Sequence, residues 1–429
     1  MQNTQAIQGL LTVIGKCKKA LLENKIFIAE DKYDSVMRDW QAAIEEVVVQ
    51  IYGVLPKYTE QFLDKLNETM ENNASMEMVY ALYDEWESIC MADCRMLSDI
   101  GIELDCEFER LLLTLTRCTE ERLVERLIRV YDELRKNLPT DAEIVKNCYS
   151  NWRHLWGEFE PDKGNWDHFR LAVEDAKSHI AEYRDTYASL MDYSSKRVLY
   201  GILKFRLELD FEYKDSLREN GFVQYFDLDI CNQLTRDAVF VDCGAFNGDS
   251  ALDFLKNYTA YKRIYLYEMI PSSVKAAEDN LKDYSDIVFR NAGVGSRLQA
   301  GESIKLNDFS GTSASILNNN MVYNPVLQED RSFSGLVEVP FVALDEDISE
   351  PISFLKMDIE GSELNAIDGA REHIQRDKPI LAICTYHHYE HLWKVMQEIK
   401  KIRPDYKFYM RFYGNLGSVA ESEHILYAV

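Results

Sequence analysis

The chain has 429 residues, with 48 Lys and Arg against 73 Asp and Glu and a formal net charge of -25. The acidic excess runs through both halves: residues 1–236 hold 29 basic and 44 acidic side chains, the remainder 19 and 29. Neither half has the basic surface that binding a phosphate backbone or an anionic membrane requires, and the length predicts two domains, each with its own core.

Taken in chain order, the first apolar run, Leu10 to Ile14, is interrupted by Thr12 and followed by Lys16, Lys18 and Lys19. It resembles neither a cleavable leader nor a membrane span, and a soluble cytoplasmic protein is expected. Nine scattered cysteines fit reduced thiols better than a disulfide framework. Cys90 and Cys94 share a helix face, but no CxxC pair or nearby His completes a zinc set. Leu123, Leu127, Val130, Tyr131 and Leu134 fall on one helical face behind Thr119, Glu120 and Glu121. Thr140 and Glu143 form a capping-box pattern ahead of Ile144, Cys148, Trp152, Leu155 and Trp156. Glu160 to Gly164 reads as a turn, and further helices are expected over 166–192 and 195–210. Residues 1–195 are therefore expected to form an all-helical domain, packed directly on the C-terminal half.

From about residue 237 short apolar runs alternate with helical segments. The runs are Ala238–Val241, Arg263–Tyr267, Ile287–Phe289, Val339–Val342, Ile352–Met357, Pro379–Cys384 and Tyr406–Phe412, with His424–Val429 available to close the sheet. This alternation predicts an α/β, Rossmann-like domain over 196–429, with a mostly parallel sheet covered on both faces. Ligands of such sheets bind beyond the carboxyl ends of the strands, where Asp242, Glu268, Asp345 and Asp358 fall.

The sharpest local signal is VFVDCGAFNGDS at 239–250. A strand ending in Asp242 runs into a loop whose Gly244 and Gly248 permit positive φ and close approach of a ligand, and a helix comes next. The glycine order is GxxxG rather than the GxGxxG of dinucleotide sites. Glu268, 20 residues beyond Gly248, suits a ribose in either a nicotinamide or an S-adenosylmethionine enzyme.

The next motif separates these classes. FLKMDIEGSEL at 354–364 places Lys356, Asp358 and Glu360 on alternate positions at a strand end. With VFVDCGAFNGDS, YLYE at 265–268, RNAGVG at 290–295, VALDE at 342–346 and IDGA at 367–370, in that order, it resembles the FkbM family of S-adenosylmethionine-dependent methyltransferases over residues 195–429. The resemblance implies a class I methyltransferase fold. It implies that Asp242, Gly244, Ala245, Asn247 and Gly248 hold the methionine portion of S-adenosyl-L-methionine, that Glu268 holds its ribose, and that Asn291 and Ala292 border its adenine. Asp358 and Glu360 would face the cofactor amine or the acceptor. GTSAS at 311–315, with Ser313 and Ser315, and the pair Tyr386 and His387 match the family's acceptor side. The implied activity is O-methylation of a sugar hydroxyl in a glycan or glycosylated metabolite.

Methyl transfer to an alcohol needs alignment and a general base. His387 is the first candidate, because imidazole titrates near neutral pH, and Asp358 is the second. Lys356 is expected to neutralise Asp358 across the strand end. Asp345 and Asp347 read either as a surface turn or as an acceptor or metal contact, and no metal is assigned. Two other classes stay open: a helical scaffold with an inactive methyltransferase domain, and a nicotinamide oxidoreductase, which the glycine spacing disfavours. The expected partners are a sugar or other small acceptor, no nucleic acid and no membrane span, and the helical domain is expected to cover the acceptor side, to form a homodimer with a second copy of the chain, or to do both.

Overall fold

The computed structural model describes residues 95–429 except 220, 228–229, 232–233, 235, 259, 308–313, 318–319, 324–335 and 416. Two compact units form, one of residues 1–110, 219–223 and 227–232 and the other of residues 111–218, 224–226 and 233–429. The expectations for Leu10–Ile14, for Cys90 and Cys94 and for most of the helices before residue 95 lie outside the described residues. In the first unit, residues 95–110 begin helix α1 (Arg95–Arg117).

The second unit opens with helices. α2 (Glu120–Asn137) starts as predicted: the Thr119 hydroxyl accepts from the Arg122 N–H, and Leu123, Leu127 and Tyr131 are buried. The capping box does not form at α3 (Pro139–Asn151), whose cap is Leu138. Pro139 takes the first helical position, where its missing N–H costs nothing, and this places Thr140 inside the first turn. After α4 (Arg153–Trp156) the predicted turn is a 3-10 segment, Pro161–Lys163, with Gly164 at φ +72°. It joins the short antiparallel strands β1 (Phe159–Glu160) and β2 (Asn165–Trp166). α5 (Asp167–Ser178), α6 (Ile180–Ser189), α7 (Tyr193–Glu208) and α8 (Phe211–Asp215) complete the helical region.

The remaining elements, in chain order, are β3 (Val239–Cys243), α9 (Asp249–Asn257), β4 (Arg263–Glu268), α10 (Pro271–Asn280), β5 (Ile287–Asn291), β6 (Gly293–Val294), β7 (Ser303–Asn307), β8 (Ala314–Leu317), β9 (Asn320–Tyr323) and β10 (Leu336–Val342). They continue with α11 (Leu344–Asp347), β11 (Phe354–Met357), α12 (Glu363–Gly369), α13 (Arg371–Asp377), β12 (Ile380–Cys384), α14 (His391–Ile402), β13 (Phe408–Phe412) and β14 (His424–Ala428). The principal sheet has seven strands in the order β13-β14-β12-β11-β3-β4-β5. All its pairings are parallel except those of β14, which runs antiparallel to β12 and β13. This is the α/β fold expected, with the chain's last run inserted as the antiparallel strand.

One predicted run goes elsewhere. Val339–Val342 lies in β10, which joins β6 and β7 in a separate three-stranded sheet. Its exposed positions, Glu338 and Pro340, alternate with buried Val339 and Phe341. That half-buried pattern suits a sheet with one solvated face, whereas β3, β11 and β12 are buried at every position.

On one face of the principal sheet Phe240 stacks on Phe254 at 4.5 Å and 13°, with Phe226 edge-on to Phe354 at 5.6 Å. Helix α7 is tied to the sheet edge: the Ser195 hydroxyl accepts from the Met410 N–H at 2.8 Å, and Arg411 pairs with Asp192 at 2.7 Å. Buried Arg206 donates to Glu421 at 2.5 Å and to the Tyr389 carbonyl at 3.0 Å. Among the described residues no helix is long and apolar enough to cross a membrane.

Candidate active site

The chain leaves β3 outward through β4 and β5, then returns to place β11 on the other side of β3. At that reversal the loops after β3 and β11 diverge and open a crevice at the carboxyl ends of the strands. A cleft of about 500 Å³ lies there, lined by Gly244, Glu268, Ala292, Asp358, Glu360 and Tyr386 among others. Of the residues predicted for the site, these six reach the cleft. Asp242, Ala245, Asn247, Gly248, Asn291 and His387 are not in its lining.

The glycine loop is held by the protein itself. Gly244 and Gly248 both have φ +84°, as expected, but the space their missing side chains leave is filled from within. A Cβ on Gly244 would sit 1.8 Å from the Asp358 carbonyl oxygen, and one on Gly248 would sit 2.8 Å from Leu281 Cδ1. Gly244 and Phe246 nevertheless line the cleft. The N–H groups of Gly244 and Ala245 donate to the Tyr267 carbonyl, that of Gly248 to the Ala245 carbonyl, and that of Phe246 to Glu268. Gly244→Ala is expected to destabilise the fold by at least ~2 kcal/mol, because positive φ and a backbone clash act together. Thermal unfolding of the variant checks this.

Asp242 is fully buried below the loop, 2.9 Å from Lys356 Nζ. Lys356 also donates to the Gly244 carbonyl at 2.8 Å and lies over the Tyr225 ring. Lys356 thus pairs with Asp242 where the sequence suggested Asp358. The two are direct register partners of β11 and β3, so their side chains leave the same face of the sheet. Burial pushes Asp242 up to about 6 against the pull of Lys356.

Glu268, at the end of β4, accepts from the Phe246 and Ile270 N–H groups at 2.9 and 2.7 Å. Burial raises it to about 7 although those N–H groups favour the anion. Beside it Met269, Ile270, Ala292, Val294 and Phe341 give the cleft an apolar wall. Asn291 stands behind that wall, donating to the Glu268 and Met269 carbonyls at 2.9 Å each. Asn247 precedes Gly248, the cap of α9, and its side-chain oxygen accepts from the Asp249 N–H.

On the opposite side Asp358 accepts from the Tyr225 hydroxyl at 2.7 Å and the Tyr386 hydroxyl at 3.1 Å. His387 lies behind, 1% exposed at its side chain, with Nε2 3.5 Å from Asp358 and 3.4 Å from Glu360. Its Nδ1 is 2.9 Å from Glu363. Burial alone would depress His387, but Glu363, Glu360 and Asp358 overcome this and raise it to about 10. The ring is therefore an imidazolium at neutral pH, without a lone pair for proton abstraction. His388 differs: burial lowers it to about 4, and its ring packs over Gly361.

Glu363 belongs to FLKMDIEGSEL, but its place in that motif suggested no role. Its wholly buried carboxylate meets His387, His391 Nδ1 at 3.3 Å and the Ile359 N–H at 3.0 Å. Tyr225, Gln224 and Glu423 carry no motif that would have marked them. The Gln224 amide donates to Glu423 at 2.5 Å, and both line the cleft. Four of the seven described non-glycine residues with positive φ, Tyr225, Phe246, Glu360 and Glu423, belong to this lining. Backbone strain of that kind concentrates at functional sites.

Other expectations resolve differently. Asp345 accepts from the Glu372 and His373 N–H groups and from Arg297, and Asp347 accepts from the Tyr267 hydroxyl and Arg290. Neither lines the cleft, so Asp345 does not join Asp358 and Glu360 in a metal set. Among the described residues no group of three or more His, Cys, Asp or Glu side chains is arranged to hold a metal ion. Ser313 lies outside the described residues, and Ser315 falls in β8.

A model of the methyltransferase FkbM domain matches residues 242–414, from the end of β3 to the loop after β13. Residues 242–414 form a methyltransferase FkbM domain. The chain is similar to a crystal structure of Methyltransferase FkbM from Methylobacillus flagellatus KT, with 25% identity and a TM-score of 0.48. The match covers 60% of this chain and 62% of that one. It is also similar to a precorrin-6y C5,15-methyltransferase from Geobacter metallireducens GS-15, at 13% identity over 47% of this chain and 84% of that one, with a TM-score of 0.28. An rRNA methylase from Streptococcus thermophilus matches at 13% identity over 46% and 90%, with a TM-score of 0.28. No curated protein matches. The FkbM domain contains every predicted site residue, and the helices before residue 242 fall outside it.

Proposed function

We propose that the chain transfers a methyl group from S-adenosyl-L-methionine to a hydroxyl oxygen, most simply of a sugar in a glycan or glycosylated metabolite. The observation that carries the cofactor reading is the charge of the cleft. Asp249, Glu268, Asp358, Glu360 and Glu423 face it, Glu268 and Glu423 with carboxyls raised by burial. Among the described residues the five outnumber the cations nearby: His387 behind Asp358 and Glu360, and the lining Lys356, which is already paired with Asp242. A concentrated negative field inside low-dielectric walls favours a cationic ligand, and S-adenosylmethionine carries a sulfonium and an ammonium. Glu268 beside an apolar wall suits a ribose and its base, and Glu360 suits the amine. A nicotinamide dinucleotide would bring a pyrophosphate into the same acidic field, onto a loop in which the N–H groups of Gly244, Ala245, Phe246 and Gly248 are already engaged.

When bound, S-adenosylmethionine supplies an electrophilic methyl on a sulfur that leaves uncharged. The chain then has to align an acceptor oxygen and take its proton. Asp358 is placed to take that proton, since it lines the cleft and its carboxylate has acceptor capacity beyond the two tyrosine hydroxyls. His387, charged and buried, acts as a positioning residue that holds Asp358 and Glu360. The fully assembled ion pairs around Glu363 and the positive-φ residues of the cleft lining argue against an inactive scaffold.

Glu268→Ala is expected to weaken binding of S-adenosylhomocysteine by ~1–3 kcal/mol, since two ribose hydroxyls lose a charged acceptor. Titration calorimetry on the full chain measures this. Absence of any binding heat in the parent protein would defeat the cofactor reading, and tight NAD binding would restore the oxidoreductase.

A further inference from the structure

We propose that Trp152, contributed by the helical region, is the acceptor platform of this cleft, against which an uncharged sugar stacks. The inference rests on the sugar-methylation reading and adds the residue and the charge class that select the acceptor.

Trp152 lines the cleft yet lies 90 residues before the start of the FkbM domain. It caps α3, its N–H donating to the Cys148 carbonyl, and its own carbonyl accepts from the N–H groups of Leu155 and Trp156. Two aromatic rings neighbour it, His154 at 5.9 Å and 26° and Trp156 at 5.6 Å and 34°. From Trp156 the connection to the reacting side is short: its indole N–H donates to the Tyr386 carbonyl at 3.1 Å, and the Tyr386 hydroxyl donates to Asp358. Tyr389 adds a second tie, its hydroxyl donating to the Trp156 carbonyl at 3.3 Å. The platform is thereby fixed in relation to the carboxylate that would take the acceptor's proton.

The other rings of the cleft are engaged. Tyr225 and Tyr386 are buried with their hydroxyls on Asp358, and Tyr267 is buried with its hydroxyl on Asp347. Phe341 packs in a core cluster with Ile270, Ile304 and Val339. Phe246 is 37% exposed but rides on the glycine loop, on the side of Glu268. Trp152 is partly exposed, and its ring neighbour Trp156 bonds the Tyr386 carbonyl. An indole offers a wide apolar face to the C–H face of a pyranose while leaving its hydroxyl edge free for polar groups. The five carboxylates set the charge class, because a phosphate or carboxylate on the acceptor would enter a field of its own sign.

The test uses the full chain, methyl-labelled S-adenosylmethionine and two probe sets. Methyl glucoside, methyl galactoside and methyl rhamnoside are neutral; glucose 6-phosphate, glucuronate and UDP-glucose are anionic. The parent protein is expected to methylate a neutral probe and to leave the anionic ones. Trp152→Leu should raise KM for that probe about tenfold while lowering kcat less, and Trp152→Phe should recover most of the loss. Unchanged calorimetric binding of S-adenosylhomocysteine reports that each variant is folded. A neutral probe turned over with equal KM by Trp152→Leu overturns the platform and leaves sugar methylation standing. Preference for an anionic probe overturns the charge class. No turnover of any saccharide by a parent protein that binds S-adenosylhomocysteine overturns the sugar reading and this inference together.

Discussion

Asp358→Asn is expected to slow methyl transfer by ~10²–10⁴ without weakening S-adenosylhomocysteine binding. The amide keeps the size of the side chain, and its one carbonyl oxygen can still accept from one of the two tyrosine hydroxyls, which donate to different oxygens of the carboxylate, but it cannot take a proton. His387→Ala is expected to lose less, because the ring acts through Asp358 and Glu360, to which it lies 3.5 and 3.4 Å. Single-turnover rates for both variants decide between them. If His387→Ala is as slow as Asp358→Asn, and the parent rate rises through a group near pH 10, the proton passes to His387 and the assignment of Asp358 is wrong.

Glu363→Gln is expected to cost the fold ~3–5 kcal/mol, the range for removing one partner of a buried ion pair. Two histidines, His387 and His391, would lose their shared carboxylate in a site that is 0–2% exposed. The pH dependence comes from the direction of each shift. Burial would raise Glu363, but His387 and His391 hold it well below the usual carboxylate range. Its contribution is therefore present above about pH 4.5 and lost as pH falls further. His387 is raised to about 10, so its contribution is complete below about pH 6.5 and disappears as pH rises toward 10. Urea unfolding at pH 6 and pH 10 should show a clear alkaline loss in the parent and little in Glu363→Gln. An equal alkaline loss in both would mean that His387 is not held by Glu363.

Helices outside the FkbM domain buttress the Tyr386 side of the cleft, through Trp156 to Tyr386, Tyr389 to His168 and Arg206 to Glu421, so on the proposed reading acceptor choice and cofactor binding are expected to be separable. Glu268 and its apolar wall belong wholly to the FkbM domain. Substitutions in α3 and α4 are thus expected to bear on the acceptor, and substitutions at Glu268 and in the apolar wall beside it on the cofactor.

Several features were legible in the sequence because they depend on near neighbours. The β3 run, the positive φ of Gly244 and Gly248, Glu268 at its strand end and the Thr119 cap of α2 each arise from a few adjacent residues, whose alternation, turn chemistry or capping is local physics. The strand order was not local. It placed Lys356 opposite Asp242, 114 positions away, and so withdrew it from Asp358 two residues along the chain. The same crossover brought Glu363, Glu360 and Asp358 around His387 and changed a ring expected to titrate near neutrality into a fixed cation. Trp152 matched the periodicity of a helix core, and only packing turned it toward the cleft. Sequence patterns set which face of an element is apolar. Which charges meet is settled by burial and by strands that are distant in the chain, since an ion pair's strength depends on what else shares its low-dielectric surroundings.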